Sequence, residues 1–183
     1  LEAPFEDTDD KEDAFFVDSG ATYQGSSTTS ISGLWHLRNQ DVKILNNGAV
    51  ETGTVSSTGT LTLARATTKA HIGLSYKAIL ETEDFEAGAQ GGTAQTRAKR
   101  MSDIYVRLLN SLGGTYGTTA DDQTPILYRK ASMPMDASPP LYTGTKALTM
   151  PSGWQDTARI RIEHEDPLPF HLTGLVVELS VSG

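Results

Sequence analysis

The residues able to do chemistry in this chain are scattered. The four histidines are His36, His71, His164 and His171, and no two stand at the H-x-x-x-H or H-E-x-x-H spacing that presents two ligands on one helical face. The densest group of potential ligands is Glu163-His164-Glu165-Asp166. On a strand Glu163 and Glu165 point one way and His164 the other, so the group reads as a wet strand end. The run from Glu6 to Asp13 is nearly all acidic, but it lacks the glycine and the spaced glutamate of a calcium loop. Gly73-Leu74-Ser75-Tyr76-Lys77 begins like a nucleophile elbow and ends in lysine. Neither a phosphate-cradling G-x-x-x-x-G-K-[ST] nor a dinucleotide-binding G-x-G-x-x-G occurs. With no cysteine, disulfides and thiolate chemistry are excluded. The sequence therefore assigns no catalytic residue, no cofactor and no metal ligand.

Two readings survive that search. With 23 acidic residues, a carboxylate pair for glycoside hydrolysis stays open, although no pair stands out. Trp35 and Trp154, on a β scaffold with six tyrosines, are the residues that would stack on a sugar. Trp35 lies between Leu34 and Leu37, and an aromatic beside two leucines is more often core.

Bulk properties narrow the classes further. A net charge of −8 and a pI near 4.9 disfavour attraction to a nucleic-acid backbone. The one basic cluster, Arg97, Lys99 and Arg100, is too short to be a footprint and reads as a solvated turn. No apolar run is long enough to cross a bilayer, and no signal segment opens the chain, so neither specific nucleic-acid binding nor a membrane contact is expected. The first residue is Leu1, so the sequence reads as a fragment or a processed product.

The elements that must position these residues are strands. A hydrophobic fraction of 37% with abundant Gly and Thr suits short strands and many turns. The organising stretch is Asp41–Glu86. Within it Ile72, Leu74, Tyr76, Ala78 and Leu80 share one parity, while His71, Ser75, Lys77 and Glu81 share the other with Ile79 as the apolar exception, the pattern of a strand with one buried and one wet face. Asn47-Gly48 fits a tight hairpin turn. Residues 1–13 read as an acidic, flexible segment, and residues 14–183 as a single all-β domain. Ala14–Asp18 is expected to be a short strand stopped by Ser19-Gly20. Phe85–Thr96 is expected to be a loop. Residues 98–112 fit both periods, and the Gly113-Gly114 stop favours a strand over about Ser102–Ser111. From Gly113 to Pro151 turn residues dominate, which places that region at an edge or on the surface. Two further strands, over Arg159–Glu163 and Phe170–Val181, are expected around a proline corner. The expected class is an all-β antiparallel sandwich or distorted barrel with long Gly/Pro-rich loops and at most one short helix.

An ordered set of residues resembles a known family. It begins with Glu12–Asp18, Gln24-Gly25, Ile31–Leu34, His36-Leu37, Val42, Leu45 and Asn47-Gly48. It continues through Gly59, Leu61–Leu63, His71–Leu74, Tyr76 and Leu80–Thr82. Gly92–Gln95, Val106–Leu109, Leu112–Gly114, Gly117, Pro134-Met135, Pro139–Gly144 and Asp166–Pro169 complete it. Together these residues resemble the C-terminal portion of bacteriophage and prophage structural proteins similar to tail nozzle (tail tubular protein B-like) and stabilisation proteins of short-tailed phages. The resemblance covers nearly the whole chain, with two departures at turns. Trp35 stands where a small or acidic residue is expected, and Asn46-Asn47-Gly48 where Ala-Asp more often precedes the turn. It implies a structural role in the virion tail, in a protein made in the bacterial host cytoplasm. The implied partners are other tail and neck proteins, with the full-length protein as a homo-oligomeric ring. It carries over no catalytic residue. In that setting the wet parity of His71, Ser75, Lys77 and Glu81 becomes a candidate interface. A carbohydrate-binding or host-attachment module is the first alternative, and a carboxylate-pair hydrolase the second.

Overall fold

The computed structural model describes residues 5, 10–86, 97–150 and 153–182. Its strands are all antiparallel and form three sheets, and the helical content among these residues is two single-turn 3-10 helices, Lys11–Asp13 and Trp35–Leu37. The protein is thus all-β, as composition and period-2 patterning predict. The expected loop over Phe85–Thr96 falls mostly outside the described residues; Phe85 and Glu86 themselves have no regular structure. The chain divides into two compact units. The first comprises Leu1–Lys77, Tyr128–Leu141 and Glu165–Pro169, and the second Ala78–Leu127, Tyr142–His164 and Phe170–Gly183.

The first unit is one four-stranded sheet. Its strands are β1 (Asp18–Ile31), β2 (Asp41–Asn46), β3 (Ala49–Thr54) and β4 (Leu61–Leu74), in the order β1-β4-β2-β3. Asn47 and Gly48 both take positive φ, 45° and 75°, the combination a two-residue type I′ hairpin requires. Asn47 also fixes the neighbouring strand. Its side-chain oxygen accepts from Lys69 N at 3.1 Å and from the Thr68 hydroxyl at 3.1 Å. Ile44, Leu61 and Ile72 are almost fully buried in the core cluster behind the sheet, and each contributes about 1.5–3 kcal/mol of burial. Ser19-Gly20 does not stop a strand here. The strand begins at Asp18, a register shift between Asp18 and Ala21 absorbs Ser19 at φ 51°, and pairing continues to Ile31.

The second unit has two sheets. Strands β5 (Ala78–Glu81), β7 (Thr115–Gly117), β8 (Gln123–Pro125) and β10 (Arg161–His164) form one, in the order β5-β10-β7-β8. Strands β6 (Lys99–Ser111), β9 (Tyr142–Thr149) and β11 (His171–Val181) form the other, in the order β11-β6-β9. The Tyr116 hydroxyl donates to the Thr149 carbonyl at 3.1 Å, a bond from one sheet to the other. Residues 99–111 are a strand, and the turn-rich segment supplies the edge strands β8 and β9 as expected, but it also supplies β7, which lies inside its sheet between β10 and β8 with Tyr116 and Gly117 buried. On β11, Leu175, Val177, Leu179 and Val181 are half-buried and Val176, Glu178 and Ser180 exposed, which follows the alternation.

Candidate functional site

The candidate interface residues do not share one wet face. The chain leaves β4 at Leu74, runs through Ser75–Lys77 outside any strand, and re-enters a sheet at Ala78 in the second unit. Ser75, Lys77 and Glu81 are exposed. His71 is not: it is only 6% exposed, which corrects the expectation of a solvated parity. The cause is a covering segment. Along β4 the odd positions Lys69, His71 and Gly73 meet Asp13, the Glu12 carbonyl with Phe15, and Val17 in turn. An alanine Cβ at Gly73 would lie 2.7 Å from the Asp18 carbonyl oxygen and 2.8 Å from Val17 Cβ, so the approach itself needs glycine there. Of the acidic segment 1–13, Lys11–Asp13 is therefore a structured turn, fastened also by Lys11 Nζ donating to the Ser138 and Pro139 carbonyls at 2.8 and 3.1 Å.

Both tryptophans are on the surface. Trp35, favoured as core, is 58% exposed and Trp154 is 53% exposed. Trp35 belongs to the first unit, where Arg38 lies 5.2 Å from its ring and Gly59 packs beneath it. Trp154 belongs to the second unit, next to Gln155, whose backbone bonds to Lys99 in both directions at 2.7 and 2.8 Å.

The Glu163–Asp166 group disperses, but it is not the wet strand end the sequence suggests, because Glu163 faces Arg161 out of solvent. Glu163 is buried and accepts from Arg161 Nε at 2.6 Å; His164 stacks on Phe170 at 5.0 Å; Asp166 pairs with Lys43 at 3.1 Å; Glu165 accepts from Ser75 at 3.2 Å. Arg161 also donates to Glu81 at 2.8 Å, and these two carboxylates raise its guanidinium above its ordinary pKa, Glu163 first. Among the described residues no group of His, Asp and Glu is arranged to hold a metal ion.

The presumed basic turn is a buried ion pair. Lys99 is 1% exposed and its Nζ lies 2.7 Å from Asp84 Oδ2. Asp84 Oδ1 accepts from Ala158 N at 2.6 Å. The carboxyl stays below its ordinary pKa, through the Lys99 bond first and the Ala158 bond second. Sequence reasoning missed this pair. The available signal was parity, because Lys99 is two residues before the buried Met101 on one strand.

Hollows line the described surface of both units. In the first unit a hollow of about 370 Å³ is bounded by Glu51, Arg65, Arg129 and residues 135–139. Both arginines there hold backbone carbonyls: Arg65 that of Asp136 at 3.3 Å, and Arg129 those of Pro134 and Ala137. In the second unit a polar hollow of about 410 Å³ is lined by Glu81, Thr118, Thr119, Gln155, Thr157 and Arg159. An apolar one of about 190 Å³ lies among Ile79, Leu80, Ile162, His164, Phe170 and Leu172. The outer face of the β11-β6-β9 sheet adds a second apolar surface, where Tyr105 and Val176 are cross-strand partners, both exposed, with Leu109 further along β6. These surfaces left no sequence motif, since each is assembled from different strands. No protein-family model and no curated protein matches this chain. No helix among the described residues is long and apolar enough to cross a membrane.

Proposed function

We propose that this chain is a structural module of a bacteriophage tail or neck, packed against other tail and neck proteins, with the full-length protein forming a homo-oligomeric ring in the virion. The observation that carries the reading is the apolar surface of the second unit. Val176 is 51% exposed opposite the exposed Tyr105, and Ile79 and Leu80 are open on the edge strand β5. Apolar side chains gathered on a sheet face or beside an edge mark a surface that another protein covers. The ordered resemblance to tail nozzle and stabilisation proteins supports the same role, and an acidic module suits a channel through which DNA slides without adhering. Mass measurement of the full-length protein is expected to return a defined ring. Val176→Lys in that protein is expected to weaken the ring with an unchanged circular dichroism spectrum. A strictly monomeric full-length protein overturns the proposal.

A second reading rests on the exposed tryptophans, either of which by itself suits a glycan-binding or host-attachment surface on its own unit. It predicts a glycan-array signal that Trp35→Ala or Trp154→Ala abolishes in a folded protein. A blank array rejects it.

A further inference from the structure

The first unit carries a fastening that the assembly role does not use. Residues 10–17 lie along one side of β4, with Asp13 paired to Lys69, Ala14 and Val17 buried, and Phe15 edge-on to His71 at 5.3 Å. Among these groups His71 is the one whose charge changes near neutral pH. Its protonation pattern is fixed by its partners. The Glu12 carbonyl, 3.0 Å from Nε2, can only accept, so Nε2 carries the hydrogen. Nδ1 is then left to accept from the Thr22 hydroxyl at 2.8 Å. A neutral ring therefore satisfies both bonds.

A second proton has to enter at Nδ1, where the Thr22 hydroxyl must turn its own hydrogen away. The resulting charge would sit under Phe15 and beside Leu45, the residue opposite on β2. The charged groups that face the ring are Lys69 on β4 and Asp13 on the covering segment, and these two already pair with each other. Thr22 on β1 and Leu45 on β2 bring no charge. Burial, more than any other cause, holds the imidazole below its ordinary pKa, and Lys69 acts in the same direction. The Glu12 bond and Asp13 oppose them and are outweighed.

We propose that His71 is an acid-sensitive catch: neutral, it clasps residues 10–17 to the sheet, and protonated, it lets them lift away. Once the segment lifts, the ring meets water and titrates near its unperturbed value of about 6.5. The open form therefore takes up the proton more readily than the closed one. Closure is at full strength above that value and weakens as pH falls below it.

The test is amide hydrogen exchange of residues 10–17 in the full chain, corrected for intrinsic rates, at about pH 7.5 and about pH 5. The wild type is expected to lose protection severalfold on acidification, the direction that a closed form with the lower proton affinity requires. His71→Gln keeps a donor for the Glu12 carbonyl but does not titrate, so its protection is expected to change by less than about twofold. Equal protection of the wild type at both pH values overturns the proposal, as does an acid step that survives in His71→Gln. If that variant does not fold, wild-type NMR decides: the His71 ring and the Phe15 amide must titrate with one midpoint, and separate midpoints overturn the catch.

Discussion

Asp84→Ala is expected to be far more damaging than removal of the lysine it serves. The Lys99 side chain has no exposed surface, and its backbone is held to Gln155 by two hydrogen bonds, so its ammonium sits in a buried site with Asp84 as its ion-pair partner. Deleting the carboxylate strands that charge and also takes the acceptor from Ala158 N. Breaking a buried pair by removing one partner costs about 3–5 kcal/mol. Because the Asp84 side chain is 28% exposed, water compensates in part, and a loss of about 3 kcal/mol is expected. Lys99→Met fills the same space without charge, while Asp84 keeps Ala158 N and its own solvent contact, so a change within about 1 kcal/mol is expected. The assay is urea unfolding at about pH 7 in a Trp35→Phe background, followed by Trp154 fluorescence, which reports on the second unit. With a slope of about 1–3 kcal/mol/M, Asp84→Ala lowers the midpoint by roughly 1–3 M. The pair has an acid signature too. Asp84 has a depressed folded pKa, so its stabilisation is present above the ordinary value of 3.8 and is lost as pH falls through the folded value. Asp84→Ala lacks that step. A Lys99→Met variant as unstable as Asp84→Ala, or an Asp84→Ala midpoint moved by less than about 0.3 M, refutes the reasoning.

Two further substitutions probe the first unit. Gly73→Ala sets a methyl group against the Asp18 carbonyl and Val17, and the forced separation of β1 from β4 is expected to cost about 1–3 kcal/mol in urea unfolding followed through Trp35 in a Trp154→Phe background. Asn47→Ala loses the acceptor for Lys69 N and Thr68 Oγ1 and strains a residue at φ 45°, for about 1–3 kcal/mol, whereas Asn47→Gly relieves the strain alone and is expected to recover part of the loss.

The all-β class was legible because period 2 and the turn residues agree over most of the chain, and Asn47-Gly48 named its own turn type. Residues 99–111 show why reading faces is harder than reading elements. Lys99 and Met101 are buried on odd positions, but Ile104, Val106 and Leu108 are buried on even ones. A register shift between the pairs Val177–Ile104 and Leu179–Met101 turns the strand by one residue in between. That shift is what made the sequence fit helical and strand periods equally. It also hid Lys99, whose burial depends on Asp84, a partner 15 positions earlier on no strand of its own. Trp35 shows the opposite error: its leucine neighbours are core, yet it opens a single 3-10 turn whose buried side is taken by Leu37.

The run from His71 to Glu81 holds the more general lesson about what alternation measures. It records an extended chain with unlike surroundings on its two sides, and that condition is met by one strand or by two in succession. Here Ile72 is buried in the core of the first unit, while Ala78 and Leu80 of the same parity are exposed on the edge strand of another sheet. On the other parity the pattern fails wherever something covers the wet side, as residues 12–17 cover Lys69, His71 and Gly73 but not Ser75 or Lys77. Burial of His71 is therefore determined by a segment some sixty positions away in the chain. That segment reads as a solvated acidic run because two of its acids are used by atoms composition cannot reveal: Asp13 by its side chain on Lys69, and Glu12 by its backbone carbonyl on His71.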